Sequence, residues 1–242
     1  MPVDLQSKVA VVTGASRGIG RAIAGAMLAE GAAVVITGLD ERRLDEARAA
    51  LAPQADGGSR LHAVRADVRD AAAAERLVAD AVDRFGGLDI LVNNAGLGVF
   101  ASVADMGPDE WRRTLDTNLS GVFYCCHYAI PHLRARGGGW IINISSLAGK
   151  NAFVGGGAYC ASKAGLNAFS ETLMQEVRHD GIRVSYVMPG SVATEFSPGG
   201  SAGAEWKLAA EDVAQVVMDL LAQPARSLPS RIELRPSQPP RK

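Results

Sequence analysis

Short apolar runs rich in Val and Ile alternate along this chain with longer Ala-, Arg- and Glu-rich stretches, the pattern of strands separated by crossover helices. The runs predict strands near Lys8 to Thr13, Ala33 to Thr37, Arg60 to Arg65, Leu88 to Val92, Gly139 to Ile144, Ile182 to Met188 and Arg231 to Leu234. Most lack a strict alternation of two. Val9-Ala-Val-Val and Ile141-Ile-Asn-Ile are apolar on both sides, as strands of a parallel sheet between two helix layers must be. Helices are expected over roughly Gly18 to Glu30, Glu41 to Leu51, Ala71 to Phe85, Pro108 to Arg136, Tyr159 to Asp180 and Ala210 to Ala222. Pro108 suits a first helical turn, Gly31 and Gly181 suit helix ends, and Pro53 forbids helix past Leu51.

Composition narrows the classes. A chain of 242 residues is expected to form one domain, 1–242, large enough to fold on its core without disulfides or metals. Its 25 basic and 26 acidic residues are interspersed, for a net charge of -1, so no electrostatic footprint for nucleic acid or an anionic membrane is expected. There is no apolar run of about 20 residues and no signal-like opening. Cys125, Cys126 and Cys160 are an odd number without zinc-ligand spacing, which suits a reducing, cytoplasmic setting. His62, His127, His132 and His179 form no ligand pair, and no metal is expected.

Position, rather than number, makes the glycines informative. Directly after the first predicted strand comes Thr13-Gly14-Ala15-Ser16-Arg17-Gly18-Ile19-Gly20, which runs into an apolar helix. Such a turn lets backbone approach a pyrophosphate at a helix N-terminus, where unpaired N–H groups and the dipole favour an anion. Farther along, Tyr159 and Lys163 are four residues apart in a helical stretch and so share a face. Ser146 lies thirteen residues before Tyr159, at the end of a strand. A phenol with a neighbouring ammonium is a reasonable proton donor and acceptor for carbonyl chemistry. Tyrosine ordinarily titrates near ~10, and a nearby cation lowers that value by stabilising the phenolate.

The GxxxGxG spacing of the turn, Asn93-Asn94-Ala95-Gly96 after the fourth strand, Asn118, the Ser146, Tyr159 and Lys163 set, and Pro189-Gly190 followed by Thr194 together resemble the classical short-chain dehydrogenase/reductase family. The resemblance implies a single-domain α/β Rossmann fold with a doubly wound, seven-stranded parallel sheet. It also implies an NAD(P)-dependent oxidoreductase that moves a hydride between the nicotinamide and a carbonyl or secondary alcohol. Tyr159 becomes the general acid or base, Lys163 its cation, Ser146 the partner of the substrate oxygen, and Asn118 the residue that perturbs its helix and links the lysine to solvent through a water. By the same carry-over, the cofactor is met by Gly14, Ser16, Arg17, Gly18, Ile19 and Gly20, by Asp67 and Val68 at the adenine, and by Asn93, Ala95 and Gly96. Tyr159, Lys163, Pro189, Gly190, Val192 and Thr194 complete that set around the nicotinamide.

The cofactor's 2'-position is read after the second strand, where acid selects NAD and base accommodates NADP. Asp40 is placed twenty residues past Gly20, yet the family's NAD-selecting aspartate matches Gly38 and its NADP-binding arginine matches Leu39. With Arg17 in the turn and Arg42 and Arg43 nearby, NADP is favoured, NAD remaining open. The family's pattern places a short substrate lid near 195–208, with Trp206 in it. The chain looks most similar to 3-oxoacyl-ACP reductase-like members, although no basic patch marks a carrier-protein surface. The expected partners are a small-molecule carbonyl or alcohol and further copies of the chain. The homo-oligomer, a dimer or tetramer, would be built through the two long helices. The tail from Arg235 is read as extended and exposed. A non-catalytic NAD(P)-binding sensor or scaffold is the alternative function, disfavoured by the intact Asn118, Ser146, Tyr159 and Lys163 set.

Overall fold

The structure, a computed structural model, describes residues 3–196 and 205–239. Seven parallel strands form one sheet: β1 (Val9–Val12), β2 (Ala33–Gly38), β3 (Leu61–Arg65), β4 (Ile90–Asn93), β5 (Gly139–Ile144), β6 (Ile182–Pro189) and β7 (Arg231–Leu234). Their spatial order is β3-β2-β1-β4-β5-β6-β7, so the chain reverses its direction of winding between β1 and β4. A crevice at the carboxyl ends of the strands opens at that switch point, where open α/β sheets bind ligands.

The helices that connect the strands cover both faces. On one side α1 (Gly18–Ala29), α2 (Glu41–Leu51) and α7 (Ala210–Leu221) bury their apolar faces, and on the other α3 (Ala71–Phe85), α5 (Gly121–Ala135) and α6 (Gly157–Val177) do so. The pleat divides each strand between the two cores: Ala10 and Val12 join the first, Val9 and Val11 the second, while β5 sends Trp140 and Ile142 one way and Ile141 the other. That is why these strands read as unbroken apolar runs.

Two helix expectations change. The stretch from Pro108 is not one α-helix: α4 (Pro108–Leu115) passes into a π-helical turn over Asp116–Ser120 before α5 begins. One extra residue per turn there swings Asn118 toward α6, a local distortion of the kind that marks functional sites. Past Leu51 the chain continues as a 3₁₀ turn over Ala52–Ala55 with Pro53 near its start, since a proline has no amide to lose in a first turn.

Candidate active site

The phosphate turn is shaped by backbone that only glycine adopts comfortably. Gly14 and Gly18 hold φ of +63° and +54°, and a Cβ on Gly14 would stand 2.7 Å from the Ala95 Cα. The turn is tied to the end of β4 by Thr13, whose Oγ1 accepts from the amides of Asn94 and Ala95 at 3.0 Å each. Asn94 Nδ2 returns the link, donating to the carbonyls of Thr13 and Gly14 at 3.0 Å. Helix α1 starts at Gly18 with no side chain capping its first amides, so they face the crevice.

A cavity of about 910 Å³ runs from this turn across the ends of the strands. Gly14, Ser16, Arg17, Gly18, Ile19, Asp67, Val68, Ala95, Gly96, Pro189, Gly190, Val192 and Thr194 line it, as do Ser146, Tyr159 and Lys163. Three expected residues stand back from it. Gly20 is buried beneath the turn, where a Cβ would lie 2.6 Å from the Gly14 carbonyl. Asn93 points into the core, donating from Nδ2 to Asn143 Oδ1 at 2.9 Å and to Cys126 Sγ at 3.3 Å. The neighbouring Asn94 takes its place at the cavity, because consecutive residues of an extended chain face opposite ways. Asn118 is fully buried behind the wall. Its Oδ1 accepts from the Leu97 amide at 2.8 Å, and its Nδ2 donates to the Leu97 carbonyl at 2.8 Å and to Ser162 Oγ at 2.9 Å. Ser162 Oγ in turn donates to the Tyr159 carbonyl at 2.7 Å, so Asn118 fixes the first turn of α6 against the loop after β4.

At the cofactor-selecting end, Gly38 closes β2 beside Ser16, and a Cβ there would meet the Ser16 Cβ and Oγ at 3.1 Å. Leu39, Asp40, Arg43 and Arg17 complete this end. Asp40 is a helix cap: its carboxylate accepts from the Arg43 amide at 3.0 Å, and that bond holds its carboxyl below the usual range. Arg42 is turned to Glu46, at 2.6 Å, leaving Arg43 and Arg17 as the basic side chains on this stretch of the cavity wall. Asp67 is not the cap of α3, a role taken by Asp70; it is gripped by Arg69 through Nε and Nη2 at 2.6–3.0 Å, which keeps it ionised.

At the other end, Ser146 follows β5 and caps the short turn Leu147–Gly149, its Oγ accepting from the Ala148 amide at 3.1 Å. That bond uses one of the oxygen's two lone pairs and leaves its hydrogen for a donor role. The neighbouring Ser145 is buried and spent on Asn167. Tyr159 and Lys163 lie one turn apart on α6, with Lys163 Nζ 5.9 Å from the phenol ring centroid. Lys163 is 4% exposed and donates to the Ile144 carbonyl at 2.8 Å. Its burial pulls the ammonium down to about 8. The expectation that the lysine depresses the tyrosine is not met in the protein alone: burial pushes the Tyr159 phenol up, with the Ser146 hydroxyl acting weakly in the opposite sense. Burial is the largest influence on the phenol and holds it protonated.

The sequence reading placed Trp206 in the lid but missed the rest of the aromatic lining of this end. Phe100, Phe153, Phe196 and Trp206 line the cavity, with Phe100 and Phe196 against the Tyr159 ring. The lid expected over 195–208 is clamped at its base, where Ala193 N donates to the Leu208 carbonyl at 2.8 Å and Leu208 N to the Ser191 carbonyl at 3.0 Å; residues 197–204 lie outside the described part. The tail is not wholly free of the body either, since Arg235, Pro236 and Pro239 border the cavity. Cys125 and Cys126 are buried, and burial pushes the Cys125 thiol up to about 12, as expected of packing residues.

The glycine cradle, the uncapped helix start and the length of the cavity fit a dinucleotide. The family model described as short chain dehydrogenase matches residues 8–203. An uncharacterised oxidoreductase of Staphylococcus saprophyticus is 35% identical over 234 residues, 97% of this chain and 99% of the relative. Among solved structures, a metagenomic short-chain oxidoreductase in complex with NADP aligns with a TM-score of 0.84 and 38% identity, covering 98% of this chain and all of that one. An alcohol dehydrogenase of the archaeon Thermococcus sibiricus, complexed with 5-hydroxy-NADP, aligns with a TM-score of 0.87 and 29% identity, covering 97% of this chain and 99% of that one.

Proposed function

This chain belongs to the short-chain dehydrogenase family and is an NAD(P)-dependent oxidoreductase, and on that premise we propose that it interconverts a ketone and a secondary alcohol with NADP, using Tyr159 as the general acid or base. The observation that carries the proposal is the joining, in one cavity, of a dinucleotide cradle with the hydroxyls of Ser146 and Tyr159 and the buried ammonium of Lys163. When bound, the cofactor supplies or accepts the hydride at the substrate carbon.

The protein's own residues handle the oxygen. Ser146, one lone pair engaged by the Ala148 amide, donates its hydrogen to the substrate oxygen and fixes it where charge develops. Tyr159, kept protonated by burial, delivers a proton to that oxygen during reduction. Oxidation needs the phenolate, and Lys163 is the cation placed to stabilise it. Asn118, through Ser162, holds the start of α6, the helix that carries both groups. Preference for NADP is supported by Gly38, which puts no carboxylate at the ribose, and by Arg17 and Arg43 on the same stretch of wall. The two cofactor complexes above point the same way. We further propose that the whole chain acts as one domain, with 195–208 as its lid, and forms a homo-oligomer through the outer faces of α5 and α6, where Phe123 is left exposed.

The test mixes the protein with NADPH and a panel of ketones and follows nicotinamide absorbance. Tyr159→Phe is expected to lose nearly all turnover while binding NADPH as before. A variant that kept a tenth of the wild-type rate would show that the proton passes elsewhere.

A further inference from the structure

The aromatic lining says what kind of substrate the site takes. Phe153, Phe100, Tyr159 and Phe196 form a chain of rings, with successive centroids 5.9, 5.6 and 5.8 Å apart. The reacting phenol is itself one link, so a carbonyl that reaches the Tyr159 hydroxyl must lie along the neighbouring faces. These rings come from three separate loops, and glycines make room for them. A Cβ on Gly98 would stand 2.8 Å from the Phe100 ring and 2.9 Å from the Phe196 ring, and one on Gly156 would stand 2.7 Å from the Phe153 ring.

Nor are the rings core residues. Phe153 is 48% exposed and Phe100 and Phe196 are each 39% exposed, all facing the same cavity. Large apolar groups left open around a catalytic hydroxyl are what a pocket for an apolar ligand requires. Besides Lys163, which is buried and engaged by the Ile144 carbonyl, the charged side chains at this end are Glu195 and Arg235, and Arg235 is held by Glu233 at 2.8 Å, which also holds Lys150 at 2.6 Å. Arg235 is thus a poor anchor for a substrate carboxylate. Spacing also separates an aryl group from a quaternary ammonium. Rings that touch in succession, one pair edge to face and two tilted, present a continuous wall to slide along, whereas a cation is held by rings set apart around it.

We propose that the substrate is an apolar, aryl-bearing ketone or the matching secondary alcohol, its ring stacked on Phe100, Phe153 and Phe196. The inference rests on the oxidoreductase function proposed above. In the reductive direction the C=O carbon gains a hydride, its oxygen gains the Tyr159 proton, and NADPH becomes NADP⁺.

The experiment compares kcat/KM of the wild-type protein with NADPH on phenyl methyl ketone, butanone, dihydroxyacetone, betaine aldehyde and an acetoacetyl thioester. The aryl ketone is expected to lead each of the others by tenfold or more, the discrimination that burying a ring against aromatic side chains supplies. Phe153→Ala and Phe100→Ala, each shown to bind NADPH, should lower the ratio of aryl ketone to butanone kcat/KM about tenfold, chiefly through KM. A lead by the sugar-like ketone, the ammonium aldehyde or the thioester overturns the inference while leaving the oxidoreductase function standing. An unchanged ratio in both variants overturns it too. Bound NADPH with no turnover of any of the five would instead remove the function on which the inference rests.

Discussion

Replacing Lys163 with methionine should make the cofactor-free protein more stable while destroying its turnover. The ammonium is sealed in the wall of the cavity, and burial lowers its titration from 10.5 to about 8. Each unit is worth about 1.4 kcal/mol, so carrying the charge into the folded state costs roughly 3 kcal/mol. The folded protein binds this proton less tightly than the unfolded chain, so the full cost applies below pH 8. It is relieved as pH rises from 8 toward 10.5, where the unfolded chain still holds the proton and the folded one has released it. Methionine keeps most of the stem's volume and removes the charge, but it abandons the 2.8 Å bond from the charged ammonium to the Ile144 carbonyl, worth about 2 kcal/mol. The net expectation at pH 7 is a gain of roughly 1 kcal/mol by the two figures together. Urea unfolding of both proteins at equal concentration, at pH 7 and again near pH 10, reads this directly. The advantage of the variant should shrink toward zero at the higher pH. A variant less stable than wild type at pH 7, or a stability gap that ignores pH, would refute the reasoning. A buried cation kept against such a cost belongs to function rather than to folding.

Gly38→Asp should move cofactor preference toward NAD: the new carboxylate has only the Ser16 side chain to displace, and repulsion of a 2'-phosphate should raise KM for NADPH at least tenfold relative to NADH. An unchanged NADPH to NADH ratio of kcat/KM would place the 2'-site elsewhere. Gly14→Ala faces backbone on the far side of the turn, so it should cost about 2–5 kcal/mol of stability from left-handed strain and overpacking together. Chemical denaturation measures it, and a loss under 1 kcal/mol would mean that the turn can open.

Much of this molecule is local physics and is legible along the chain. Apolar runs of strand length between helical stretches dictate a buried parallel sheet, and the predicted strand and helix boundaries fall within three residues of the observed ones, apart from the π-turn at Asp116–Ser120; the largest miss is the end of α6, which passes into a 3₁₀ turn over Arg178–Asp180. Glycines after a strand announce the tight turn into α1, because positive φ is a property of single residues. The spacing from Tyr159 to Lys163 announces a shared face because a helix has a fixed period.

What the tertiary structure decided concerns which way a side chain faces and what surrounds it. Asn94 rather than Asn93 meets the cavity through the pleat at the end of β4, and Asp40 is a helix cap because α2 begins just beside it. Phe100, Phe153 and Phe196 are distant in sequence and become a wall only when three loops converge on Tyr159. The protonation of the site could not be read from spacing either. Four residues between a tyrosine and a lysine predict attraction between phenolate and ammonium, but desolvation grows with every group packed around the pair, and here it keeps the phenol protonated and loosens the lysine's proton. Periodicity and turn chemistry act between neighbours in the chain, so sequence determines them; burial sums over neighbours in space, and only the folded chain supplies those.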